Sequence, residues 1–368
     1  MTFPIRTRTQ VETIAPYVLG QSLEDVKKEL GLTHIRKMSE NENVYGTSPL
    51  VKQIILGSLD NLHLYPDGAV RDLRLKLAEF YGLDANQFIL GNGSDELIRV
   101  LTRTYISLDD EAVMGDVTFP RYKTNVLIEG GKPVIVPLVN GVHDLKNMLS
   151  SITNRTKMIF VCNPNNPTGT IVGREELLQF IESVPQHILI VLDEAYYEYV
   201  TSEDYLESIP LLDQHPNLVI LRTFSKIYGL ASLRIGYGIA HQALVGELLK
   251  VKEVFNANGL AQISALAALE DQEFIISCTQ QNEEERIKMQ LAFSNMGLPY
   301  FPSQTNFIMV DTKTSGETVS RELLKRGFVV RSGHLLGYAS MFRVTLGTCE
   351  DNEAFRAALS EILSGKVE

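Results

Sequence analysis

The chain has 368 residues, 44% of them hydrophobic, and a formal net charge of −11. That length suits a large domain with a smaller companion, while the negative charge disfavours nucleic acid and anionic membranes as partners. No apolar run reaches the roughly 20 residues of a membrane-spanning helix; Met1-Thr2-Phe3-Pro4-Ile5-Arg6 lacks a signal-peptide pattern; and three scattered cysteines (Cys162, Cys278, Cys349) suit a reducing cytoplasm.

In chain order, Pro4, Pro16 and Gly20 interrupt any long element in residues 1–45, which predicts an arm and a crossing segment. Over 46–255 short apolar runs alternate with helical patterns, the signature of a mostly parallel sheet covered by helices. Strands are predicted at 87–90, 112–114, 132–137, 158–162, 188–192, 218–221 and 235–239, with helices at 95–105, 174–183, 243–253 and 260–269. Beyond Asn282 come a charged helix, a strand at 306–311, a helix at 317–326 and a strand at 341–345. The expected fold class is α/β: a large domain over 46–255 on a seven-stranded sheet, and a smaller α+β domain over 256–368.

Open α/β sheets bind ligands beyond the carboxyl ends of their strands. Four polar segments follow predicted strands and should converge there: Gly91-Asn92-Gly93-Ser94-Asp95, the run from Asn163 to Gly169, Asp193-Glu194-Ala195-Tyr196, and Arg222-Thr223-Phe224-Ser225-Lys226. Asp193 ends an apolar run and could hold a protonated ring nitrogen, although an Asp at this place equally caps a helix. Lys226, beside hydroxyls at a strand end, has the setting of a partly desolvated amine suited to Schiff-base chemistry. Arg234, read as opening the next strand, could clamp a phosphate with help from Thr223 and Ser225. Gly91 to Asp95 reads as an anion cradle or a plain turn, and it is no dinucleotide fingerprint, since Glu96 stands where the third glycine belongs. The seven histidines show no ligand spacing, so no metal is expected.

Together and in this order the motifs resemble the fold-type I, pyridoxal-phosphate-dependent aminotransferases, and within them the histidinol-phosphate aminotransferase branch of histidine biosynthesis. The resemblance spans nearly the whole chain. It implies pyridoxal 5'-phosphate as cofactor, with Lys226 as its Schiff-base lysine, Asp193 on the ring nitrogen, and Tyr196 and Asn166 on the phenolate oxygen. It also implies a phosphate held by Gly93, Ser94, Asp95, Thr223, Ser225 and Arg234, and Phe119 stacked on the pyridine face. Tyr65 matches a tyrosine reaching the neighbouring subunit's cofactor, which implies a homodimer with shared sites. Tyr17, Arg331 and Arg343, with Asn166, match residues around the substrate, an amine and then a 2-oxo acid. Val44 departs from the family, which usually has proline there.

The resemblance implies amino transfer from L-histidinol phosphate to 2-oxoglutarate. The alternatives are an aromatic or broad-specificity aminotransferase, a decarboxylase of a phosphorylated amino acid, and a non-catalytic cofactor-binding module.

Overall fold

The computed structural model describes residues 5–12, 14–16 and 23–365. Twelve strands are present among them. They are β1 (Arg36–Lys37), β2 (Phe88–Gly91), β3 (Glu111–Gly115), β4 (Lys132–Val136), β5 (Thr156–Cys162), β6 (Leu189–Asp193), β7 (Leu218–Thr223), β8 (Gly236–Ala240), β9 (Phe307–Asp311), β10 (Phe328–Val329), β11 (Arg331–Ser332) and β12 (Met341–Thr345).

Strands β2 to β8 form a seven-stranded sheet in the order β2-β8-β7-β6-β5-β3-β4. Only β8 runs against the others, pairing antiparallel with both β2 and β7. The central strands are covered on both faces, which is why their sequences are nearly unbroken apolar runs rather than alternating ones. Successive residues still point to opposite faces. Ile159, Val161, Ile190 and Leu192 join one core, together with Leu73, Leu77 and Ala265. Met158, Phe160 and Val191 join the other, beside Leu97, Tyr122 and Val245.

A third core gathers Met38, Met289, Phe293, Ile308, Val310, Leu323, Phe342 and Phe355 around the antiparallel sheet β11-β12-β9. The crossing segment is tied to this unit, because β1 pairs with β10. The packing places the change of core later than position 256. Helix Gly259–Glu270 contributes Ala261, Ala265, Ala268 and Leu269 to the first core, where they pack under the large sheet. The next helix, Gln272–Asn295, begins there with Ile275 and Cys278 and ends in the third core with Met289 and Phe293. Asp271 separates the two helices and caps the second by accepting from the Phe274 N–H. No helix among the described residues is long and apolar enough to cross a membrane.

Candidate active site

The carboxyl ends of β5, β6 and β7 open into a cavity of about 190 Å³. Ser94, Asp95, Phe119, Cys162, Asn166, Asp193, Ala195, Tyr196, Thr223, Ser225, Lys226 and Arg234 line it. The four polar segments picked out in the sequence therefore do meet, at the place where the topology of an open α/β sheet puts a ligand.

Asp193 is the last residue of β6 and is 3% exposed. Burial pushes its carboxyl up to about 6, against two donors that favour the charged form. These are the Tyr122 hydroxyl, 2.6 Å from Oδ2, and the Ala195 N–H, 3.2 Å from Oδ1. The adjacent acid, Glu194, is otherwise engaged: fully buried, it pairs with the fully buried Arg222 at 2.7 Å and accepts from Ser208 at 2.6 Å. Arg222 also lies 3.4 Å from the Tyr197 ring centroid. Of the two carboxylates, only that of Asp193 lines the cavity.

Lys226 follows β7. Burial and the charge of Arg343 lower its amine to about 8, although Glu40 and Glu42 pull the other way. About a tenth is thus unprotonated at pH 7, far more than for an ordinary lysine, and that is the state a nucleophilic amine needs. Its Nζ donates to the Glu40 carbonyl at 3.3 Å and stands 5.6 Å from the Tyr196 ring centroid. The Tyr196 hydroxyl is met by Asn41 Nδ2 at 2.9 Å and by Asn166 Nδ2 at 3.4 Å.

The other end of the cavity is built for an anion. Helix Ser94–Tyr105 starts from Gly93 with no side chain capping it, so its first N–H groups and the positive end of its dipole face the cavity. Gly93 has φ +76°, and a Cβ there would sit 2.6 Å from the Arg234 guanidinium. A Cβ on Gly236 would likewise stand 2.6 Å from the Ser94 nitrogen. Arg234 donates to the Ser225 hydroxyl at 3.3 Å and lies 4.0 Å from the Asp95 carboxylate. It does not open a strand as the sequence suggested. β8 begins at Gly236, and Arg234 closes a short 3-10 turn in the left-handed conformation at φ 56°. That turn brings its side chain back over Gly93.

Arg343 lies in the middle of β12, donating to Asn166 Oδ1 at 2.6 Å and to the Ser39 carbonyl at 2.5 Å. Arg331, on β11, is its direct antiparallel partner. Tyr65 is away from this cavity: 84% exposed, it stacks on Phe255 with centroids 4.8 Å apart. Tyr17 lies outside the described residues.

Residues 33–359 match the family described as aminotransferase class I and II. A histidinol-phosphate aminotransferase from Geobacillus sp. is 48% identical over 359 residues, covering 98% of each chain. One from Brevibacillus brevis is 49% identical over 349 residues, covering 95% of this chain and 96% of its own. The chain belongs to the histidinol-phosphate aminotransferases. The fold agrees: the crystal structure of the Sinorhizobium meliloti histidinol-phosphate aminotransferase in complex with pyridoxal-5'-phosphate matches with a TM-score of 0.90 at 26% identity, over 98% of both chains.

Reading motifs did not reach Tyr122, Asn41 or Cys162. Tyr122 stands three residues after Phe119, in the first turn of helix Arg121–Ile128. Asn41 meets Tyr196 across 155 residues of chain, and no local pattern signals that.

Proposed function

We propose that the enzyme transfers the amino group of L-histidinol phosphate to 2-oxoglutarate, a step of histidine biosynthesis, using pyridoxal 5'-phosphate in the cavity described above. The residues present fit that cofactor. An uncapped helix start, a guanidinium packed on a glycine and the Ser225 hydroxyl suit its phosphate. A buried carboxylate suits its ring nitrogen, and an amine lowered to about 8 suits its aldehyde.

When bound, the cofactor supplies a carbonyl for amine exchange and a ring that withdraws electrons from the substrate α-carbon. The protein's own groups do the rest. Asp193 keeps a proton on the ring nitrogen, because a buried carboxylate gains most when a cation lies beside it. Lys226 would hold the cofactor through its amine and, as the base, would carry the proton taken from the substrate α-carbon to the cofactor's former aldehyde carbon. Tyr196 and Asn166 would hydrogen-bond the phenolate oxygen, while backbone groups of Gly93, Ser94 and Asp95, with Thr223, Ser225 and Arg234, would seat the phosphate. Phe119, edge-on to Tyr122 with centroids 5.6 Å apart, supports one ring face.

The pairing of Arg331 with Arg343 carries the choice of substrate. Directly opposed residues of an antiparallel pair share one face with Cβ atoms about 5 Å apart, and like charges there repel. A phosphate monoester has charge and oxygens enough to accept from both forks. The same pair takes a carboxylate of 2-oxoglutarate in the second half-reaction. Arg331→Ala should cut kcat/KM for histidinol phosphate by about tenfold to a hundredfold, the worth of one charge-assisted contact, and hurt glutamate less. Arg343→Ala should hurt both. If Arg331→Ala leaves histidinol phosphate untouched, the phosphate is held elsewhere.

The active unit is a homodimer with shared sites. In support, Tyr65 is exposed beside Leu62, Leu64, Val254 and Phe255, which line an open groove of about 860 Å³. Such an apolar patch on a soluble enzyme marks an interaction surface. The three cysteines are free thiols, which supports the cytoplasm as its compartment.

A further inference from the structure

The environment of the Tyr196 hydroxyl leads to a residue outside the motifs that define the cavity. Tyr196 is 2% exposed, and its ring packs edge-on against Phe307 with centroids 5.1 Å apart, so only the hydroxyl rotor is left to settle. Two side-chain amides meet its oxygen through their nitrogens, and each has its own oxygen engaged at the other end. Asn41 Oδ1 accepts from the Thr345 hydroxyl at 3.0 Å, while the Thr345 oxygen accepts from the Asn41 backbone N–H at 3.0 Å. Asn166 Oδ1 accepts from Arg343 at 2.6 Å. Both amides therefore present NH₂ groups, and Tyr196 accepts from them at 2.9 and 3.4 Å. A phenol oxygen has two lone pairs and one hydrogen. With both pairs engaged, the hydrogen is left to donate into the cavity.

We propose that Asn41 is a positioning residue that orients the Tyr196 hydroxyl as a donor toward the bound cofactor, and that Thr345, two residues beyond Arg343 on β12, couples that orientation to the substrate-binding strand. The proposal rests on the cofactor reading given under Proposed function. Asn41 is 1% exposed and held in the left-handed conformation at φ 58°, which Asn tolerates better than most residues. The Asn306 side-chain amide fixes its carbonyl at 3.1 Å. The charged and titratable groups around Tyr196 are Arg343, Lys226, Asp193 and Cys162, with Glu40 and Glu42 acting on Lys226. None of these changes when Asn41 is replaced by a neutral residue.

Asn41→Gly removes the amide without backbone strain, since glycine accepts a positive φ. Asn41→Asp keeps the shape but replaces the donor with an acceptor that turns the Tyr196 hydrogen away from the cavity. The measurement is the pH titration of the holoenzyme's visible cofactor absorption, for wild type, both variants, Tyr196→Phe and the double variant Asn41→Gly/Tyr196→Phe. A donor on the cofactor's ring oxygen offsets its negative charge and so eases loss of the neighbouring nitrogen's proton. Asn41→Gly should therefore raise the midpoint by about one pH unit, the worth of one hydrogen bond, and Asn41→Asp should raise it further. In the Tyr196→Phe background Asn41→Gly should add nothing. An unmoved midpoint in either single Asn41 variant, or a shift by Asn41→Gly that persists without the Tyr196 hydroxyl, overturns the role of Asn41. A wild-type protein that takes up no cofactor overturns the functional reading itself.

Discussion

Tyr122→Phe removes a single oxygen from beside Asp193 and leaves the packing in place. The Tyr122 ring is fully buried and stacks on Phe160 with centroids 4.6 Å apart and planes 11° from parallel. The loss is therefore the 2.6 Å hydrogen bond to Oδ2, while the 3.2 Å bond from the Ala195 N–H survives. A hydrogen bond to an ionised acceptor is worth about 1.5–3 kcal/mol, which raises the Asp193 pKa by roughly one to two pH units. The starting point is already about 6, against an ordinary carboxylate value of 3.8. With the folded value above the unfolded one, the folded state binds more protons between the two. Asp193 therefore lowers the stability of cofactor-free protein as pH rises from about 4 to about 6, and adds no further slope above that. In Tyr122→Phe the decline should continue for another one to two units. Urea melts of the cofactor-free proteins at half-unit pH steps read this directly. In the holoenzyme at neutral pH the variant should lose roughly twofold to at most tenfold in kcat, the factor by which the ionised fraction of Asp193 falls. Superimposable stability profiles for variant and wild type above pH 6 would refute the reasoning.

Lys226→Ala should leave no cofactor trappable by borohydride and cut turnover by several orders of magnitude, since a covalent anchor and a proton carrier go together; reduction followed by peptide mass spectrometry checks the first. Asp193→Asn should keep the shape of the cavity yet collapse α-proton removal, read as loss of α-deuterium exchange; near-native exchange would leave Asp193 only its structural contacts with Tyr122 and the Ala195 N–H, since it caps no helix among the described residues. Mixing inactive Tyr65→Ala with inactive Lys226→Ala subunits should restore activity, because one site of the mixed dimer then draws intact groups from both chains. Mixed dimers that form without regaining activity would place Tyr65 outside the partner's site.

Much of the sheet was legible because buried parallel strands announce themselves. Runs such as Ile188-Leu189-Ile190-Val191-Leu192 are bounded by polar residues and end on the functional ones. Helices Pro49–Leu56 and Arg71–Tyr81 were less visible. The first is short, though Ser48 caps it and Pro49 opens it. The second starts from Val70 in a left-handed conformation, which nothing in the side chain announces. Arg234 was misplaced because Leu233 and Ile235 flank it like strand residues; the turn that sends it back to Gly93 is a tertiary demand. The same holds for the Tyr122–Asp193 and Asn41–Tyr196 contacts, which join residues 71 and 155 positions apart. Motifs report residues whose chemistry is needed at a known spacing. The partners that set proton positions on them are chosen by packing.

The most direct test of the account is to titrate the purified, cofactor-loaded enzyme with histidinol phosphate, tyrosine and aspartate in turn while following the cofactor's visible absorption. Histidinol phosphate should convert the band at the lowest concentration, and 2-oxoglutarate should restore it. Conversion by tyrosine or aspartate at concentrations where histidinol phosphate does nothing would contradict the account.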